Sequence, residues 1–139
     1  MGQQQLLLII LGVIIVGIAV AVGITMFQDN AISANKDAVT NDLVQLAAKA
    51  QQYYRKPQAL GGGGNSFVGI DSVGTLVSAA FSNNDNGVYA VSTVGTTASV
   101  IFTGYGKTQQ TDGTYPTVTM TVTATGYALG TWGSASALP

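Results

Sequence analysis

All six acidic side chains of this chain are aspartates (Asp29, Asp37, Asp42, Asp71, Asp85 and Asp112), and it has no glutamate, histidine or cysteine. Acid–base catalysis near neutral pH draws most often on histidine, and thiol or thiolate–metal chemistry requires cysteine, so both lack their usual groups. The aspartates are dispersed and form no paired acidic motif. Two stretches come nearest to ligand chemistry. Asn83-Asn84-Asp85-Asn86-Gly87 lines up oxygen-bearing side chains as a calcium loop does, but it lacks the glutamate and the ligand spacing of one. It reads as turn chemistry. Gly61-Gly62-Gly63-Gly64 shares only its glycine content with a phosphate cradle; no Lys-Ser or Lys-Thr follows. It reads as a flexible turn. The expectation is a protein that is not an enzyme, with no catalytic residue, no metal site and no cofactor. A net charge of −1 supplies no attraction to nucleic acid. Charged residues are 8% of the chain, against about a quarter in ordinary globular proteins. A surface solvated mainly by Thr, Ser, Asn and Gln suits an extracellular or assembled protein.

The element that positions everything else is Leu6–Ile24, LLLIILGVIIVGIAVAVGI, which has no charged or polar side chain. Thr25, Met26 and Phe27 extend it to about 22 residues, a helix of roughly 33 Å, enough for a hydrocarbon core of about 30 Å. It is apolar all round, so it must be buried in lipid or in other protein. A small domain cannot bury such a helix by itself, which leaves a bilayer or copies of the same chain. No Lys or Arg precedes Lys36, and the run is longer than the core of a secretory signal, so a cleaved ordinary signal peptide fits poorly. Gly12, Gly17 and Gly23 interrupt the run without forming a GxxxG pair. Each costs about 1 kcal/mol of helix stability relative to Ala, and each permits close approach of another backbone.

Helical periodicity continues. Ile32, Val39, Leu43, Leu46, Ala50 and Tyr53 fall on one stripe, with Lys36, Asp37, Asp42, Lys49 and Gln52 mostly off it. Pro57 ends the helix by pushing the residue before it out of the α region. Residues 67–81 read ambiguously, as a short helix or as a strand covering a sheet. From Asn83 the period changes to two. Strands are expected at 88–94, 98–105 and 117–125, with a polar hairpin at 107–113. In the last strand Val118, Met120, Val122 and Ala124 face one way and the threonines between them the other, as in an antiparallel sheet with one buried face. A tail of small residues follows, anchored by Trp132. The fold class is α+β: a long N-terminal helix, an apolar half then an amphipathic half, packed on a small antiparallel sheet. The segments are 1–27, the apolar helix; 28–56, its amphipathic continuation; 57–82, a glycine-rich loop; and 83–139, the sheet and tail. Tyr53 is expected on the sheet and Tyr54 on the loop.

A long apolar-then-amphipathic helix feeding a glycine-rich loop and a small antiparallel sheet resembles the type IV pilins and related pseudopilins. The matching sequence is mainly Met1 to about Phe27. The resemblance implies removal of a leader by a prepilin-type peptidase, methylation of the new N-terminus, and packing of the apolar helices into a filament. Met1 would then be the first mature residue; cleavage after Gly2 would instead start the mature chain at Gln3 and put Leu7 at the fifth position. The family's Glu at the fifth mature position is Gln5 here, the helix-breaking proline is replaced by Val22 and Gly23, and the paired cysteines are absent.

The function implied is that of a structural subunit of an extracellular, type IV pilus-like helical filament, anchored in the inner membrane before assembly. Its partners would be identical subunits, the membrane, and processing and assembly machinery, with no nucleic acid. Assembly would involve Gln5, Leu6, Leu7, Leu8, Ile9, Gly12, Gly17 and Gly23. The alternative is a bitopic, membrane-anchored β domain that binds a protein partner.

Overall fold

Helix-compatible residues run without proline from the N-terminus to Lys56, and they form one 54-residue helix, α1 (Gly2–Arg55). The structure, a computed structural model, describes residues 2–139. Two compact units divide the chain, Met1–Ala31 and Ile32–Pro139.

In the first unit the large apolar side chains from Leu6 to Phe27 are all exposed, between 51% and 75%. Leu, Ile and Val surround this stretch, so no face of it can turn inward. Its length and composition are those of a membrane-crossing helix. A Cβ added at Gly12, Gly17 or Gly23 would meet nothing within 4 Å. Nothing within the described chain therefore requires glycine at these three places.

In the second unit α1 contributes Ile32, Val39, Leu43, Leu46, Ala47 and Ala50 to the buried side. All but Ile32 share one core with an antiparallel meander of β1 (Gly87–Thr93), β2 (Ser99–Gly106) and β3 (Tyr115–Thr123). The alternation in β3 is the expected one: Pro116, Val118, Met120 and Val122 are buried, and the threonines between them lie on the other face. Ala124 falls beyond the end of the strand and is half-buried. The close approach of helix to sheet is set by glycines on β2. An added Cβ at Gly104 would stand 2.8 Å from Val39 Cγ1 and 3.1 Å from Leu43 Cδ1. At Gly106 it would overlap the Asn35 side chain.

Three segments differ from the sequence reading. The tetraglycine is a close-packed helix cap rather than a flexible turn. Gly63 N donates to Tyr53 O at 2.8 Å, Gly64 N to Lys56 O at 2.9 Å and Asn65 N to Tyr54 O at 2.7 Å. These bonds satisfy carbonyls that the end of a helix leaves without partners. Gly61 and Gly64 adopt φ of 80° and 57°, and a Cβ on the buried Gly63 would overlap the Ser66 carbonyl. Residues 67–81 form neither a helix of any length nor a strand; short 3-10 turns at Val73–Thr75 and Ala79–Ser82 carry the chain. Phe67, Ile70 and Val73 enter the core from this segment. The tail is also ordered into strands. β4 (Gly126–Leu129) and β5 (Gly133–Ala135) both pair with the outer edge of β3. Between them Gly130 N donates to Thr119 O at 2.8 Å, and Trp132 packs against the core with Lys36 Nζ 5.4 Å from its ring centroid. Backbone pairing to β3 orders these short segments of mostly small residues, which have almost no apolar alternation to read.

Candidate functional site

The expected assembly residues Gln5, Leu6, Leu7, Leu8 and Ile9 lie exposed near the start of α1, with Gly12, Gly17 and Gly23 further along. Met1, the expected processing position, lies outside the described residues. Near the end of the apolar run the Thr25 hydroxyl donates to Val22 O at 2.8 Å and so is satisfied by its own helix. What the first unit presents is a long apolar surface broken by small residues. By length and composition such a surface is suited to crossing a membrane.

The second unit holds a polar cluster that the sequence reading misplaced. Asp42 was expected mostly off the buried stripe, yet it is 7% exposed. Its Oδ2 accepts from Tyr89 Oη at 2.6 Å, from Asn84 Nδ2 at 2.9 Å and from Asn86 Nδ2 at 3.1 Å. One helical face, two turns earlier, carries Asn35. Its Nδ2 donates to Asn86 O at 2.7 Å and its Oδ1 accepts from Thr108 N at 3.3 Å. Asn84 closes the turn from within: its Oδ1 accepts the main-chain N–H groups of Asn86 and Gly87 at 2.9 and 3.0 Å. The Asn83–Gly87 stretch is therefore a turn, as read, but its amides aim donors at a carboxylate rather than oxygens at a cation. Among the described residues no group of three Asp, Glu, His or Cys could hold a metal ion.

The signal for this cluster was present in the spacing. Asn35 is three residues after Ile32 and four before Val39; Asp42 is three after Val39 and four before Leu46. Both belong to the apolar stripe by position. Only their polarity set them apart, and a buried carboxylate must be met by donors. Those donors come from a turn and the start of β1, more than forty residues away, which helical periodicity cannot reveal. Tyr53 also differs from expectation: its hydroxyl donates to Val68 O at 3.0 Å, so it packs on the loop rather than on the sheet. Tyr54 meets the loop as expected, its ring 4.7 Å from that of Phe67.

Burial pushes the Tyr89 hydroxyl well above the ordinary tyrosine range, and its bond to the Asp42 carboxylate pushes the same way. The consequence for stability has a definite sign. An unfolded tyrosine ionises near pH 10, whereas folded Tyr89 keeps its proton, so above that pH the folded state binds more protons. Stability contributed by this group is complete below about pH 10 and is lost as pH rises above it, by about 1.4 kcal/mol per pH unit for one proton. Tyr89→Phe is expected to flatten the alkaline limb of a denaturation series in which wild type falls steeply. Equal slopes for the two proteins would contradict this role. Asp112 moves the other way. The Thr114 hydroxyl and then the Thr114 main-chain N–H donate to its carboxylate and hold it below the usual carboxylate range.

Comparison of the chain with protein-family models, with curated proteins and with solved structures found no match.

Proposed function

We propose that this chain is the structural subunit of an extracellular, type IV pilus-like filament, held in the membrane by its apolar helix before assembly. The observation that carries this reading is the first unit, whose large apolar side chains are exposed on every face of α1. The buried stripe of α1 from Val39 to Ala50 shares one core with an antiparallel sheet four strands wide, an arrangement compatible with a pilin-like fold, which supports the same reading. In the membrane, lipid solvates the apolar helix; on extraction, neighbouring helices replace lipid. Gly12, Gly17 and Gly23, which no contact among the described residues explains, would let those helices approach closely.

Gln5 takes the place of the family's carboxylate near the subunit N-terminus. The first N–H groups of a helix lack intrahelical partners, and leaving such a group buried and unpaired costs about 1–3 kcal/mol. The Gln5 side-chain carbonyl would accept from the N-terminal region of the same or an adjacent subunit. Processing and methylation of the N-terminus by prepilin-type machinery belong to this proposal.

The test is to shear cells, pellet surface fibres and determine the mass and first residue of the chain they contain. The expected result is fibres built of this chain, fewer of them with Gln5→Leu, and normal numbers with Gln5→Glu. Membrane insertion and the folded sheet should persist in both variants. A chain that remains wholly in the membrane fraction would remove the filament reading and favour an anchored β domain with a protein partner. Normal fibres from Gln5→Leu would remove the role given to Gln5 alone.

A further inference from the structure

Asn86 is the one asparagine of the chain followed by glycine, and this pair sits inside the Asp42 cluster. We propose that Asn86–Gly87 is a site of intramolecular deamidation that the Asp42 clamp holds closed, and that reaction there releases the turn from α1.

The chemistry needs only water. The main-chain nitrogen of Gly87, once deprotonated, attacks Cγ of Asn86. A carbon–nitrogen bond forms, the side-chain nitrogen leaves as ammonia carrying the proton, and a five-membered succinimide results. Water then adds to either imide carbonyl, and the ring opens to aspartate or isoaspartate. One water enters, one ammonia leaves, and nothing is oxidised or reduced. Glycine is the following residue that hinders this attack least, because it has no Cβ to crowd the closing ring.

The geometry opposes ring closure while the clamp is intact. The nucleophile is committed elsewhere, since Gly87 N–H is donated to Asn84 Oδ1 at 3.0 Å. The electrophile is tethered separately, since Asn86 Nδ2 donates to Asp42 Oδ2 at 3.1 Å. The peptide between them is pinned at both ends: Asn86 N donates to Asn84 Oδ1 at 2.9 Å, and Asn86 O accepts from Asn35 Nδ2 at 2.7 Å. Gly87 is itself buried against Val39 and the Tyr105 carbonyl. The rotation that brings nitrogen to Cγ must break several of these bonds together, so reaction requires local opening of the turn.

Reaction makes that opening permanent. Residue 86 exchanges a donor amide for a carboxylate facing the Asp42 carboxylate. A hydrogen bond to a charged acceptor is replaced by like-charge repulsion in a half-buried site. An isoaspartate would also add a methylene to the main chain at the point where β1 begins.

The experiment follows the residue 86 peptide by mass spectrometry and isoaspartate detection in the full chain held in detergent micelles, incubated at mildly alkaline pH. A free peptide spanning residues 83–90 serves as the open reference. Wild type is expected to react at least about tenfold more slowly than the peptide, and Asp42→Ala to react faster than wild type but more slowly than the peptide, because the bonds from Asn84 and Asn35 remain. Leu43→Ala, which opens a core cavity but leaves every clamp group in place, should stay slow. The proposal is overturned if wild type reacts at the peptide rate, if Asp42→Ala gives no acceleration, or if Leu43→Ala accelerates as much, which would assign the reaction to global unfolding. A second readout does not depend on Asp42→Ala remaining folded. Asn86→Asp should lower the melting temperature, and adding Asp42→Asn should restore most of the loss by exchanging donor and acceptor. An Asn86→Asp protein as stable as wild type, or one that Asp42→Asn does not rescue, overturns the release of the turn.

Discussion

Asp42→Ala is expected to destabilise the sheet-bearing unit by about 3–5 kcal/mol, although the removed side chain is among the most polar in the chain. Three donors lose their shared acceptor: the Tyr89 hydroxyl and the Asn84 and Asn86 amides. Tyr89 is 2% exposed, so its hydroxyl is left without a protein partner in a buried position when the carboxylate goes. A buried donor left unsatisfied costs about 1–3 kcal/mol, and the two half-buried amides recover part of their loss from solvent. Asp42→Asn should fall between wild type and Asp42→Ala, because an amide oxygen still accepts while its NH2 group confronts another donor. Thermal melts of the full chain in detergent, read by near-ultraviolet dichroism of Tyr and Trp, measure the difference. A loss below about 1 kcal/mol for Asp42→Ala would mean that the cluster is incidental to stability.

The second large effect is expected from the helix–sheet seam. Leu43→Ala or Leu46→Ala should each cost about 2–5 kcal/mol, the range for truncating a fully buried leucine. Both side chains are completely buried. Leu43 lies over β2 where Gly104 allows the helix to settle, and Phe102, Val118 and Met120 of the same buried core are held in place by paired strands. A rigid sheet collapses poorly into a new cavity, which places the cost toward the upper part of that range. The same melts apply, and unchanged stability for both variants would remove the assignment of this face as the core seam. In the first unit, by contrast, leucine truncations should leave the folded sheet unaffected, since Leu6, Leu7 and Leu8 are exposed.

Much of the fold was legible because its signals are local and periodic. The all-round apolarity of Leu6–Ile24 and the stripe from Ile32 to Ala50 each state which helical faces seek burial. The alternation of β3 states which face of the sheet meets the helix. The helix stop was equally readable, because Pro57 excludes α geometry from the residue before it. Composition limited the chemistry: a chain without histidine, cysteine or glutamate has few reactive groups to arrange.

Tertiary structure decided the rest, wherever the informative partner lies far along the chain. Four glycines carry no pattern of their own; their role as a cap follows from the carbonyls of Tyr53, Tyr54 and Lys56 that need donors at the end of α1. β4 and β5 exist because β3 offers a free row of backbone groups, a demand that no side-chain period in residues 126–135 records. Asp42 appeared to be a solvated charge on a helix; only the fold brings Tyr89, Asn84 and Asn86 to it. Sequence by itself determined which surfaces must leave water, since hydrophobic burial depends on composition and period. Only the tertiary structure decided how the polar groups carried inward by that burial are satisfied, because a hydrogen bond needs one particular partner at about 3 Å, and that partner can come from anywhere in the chain.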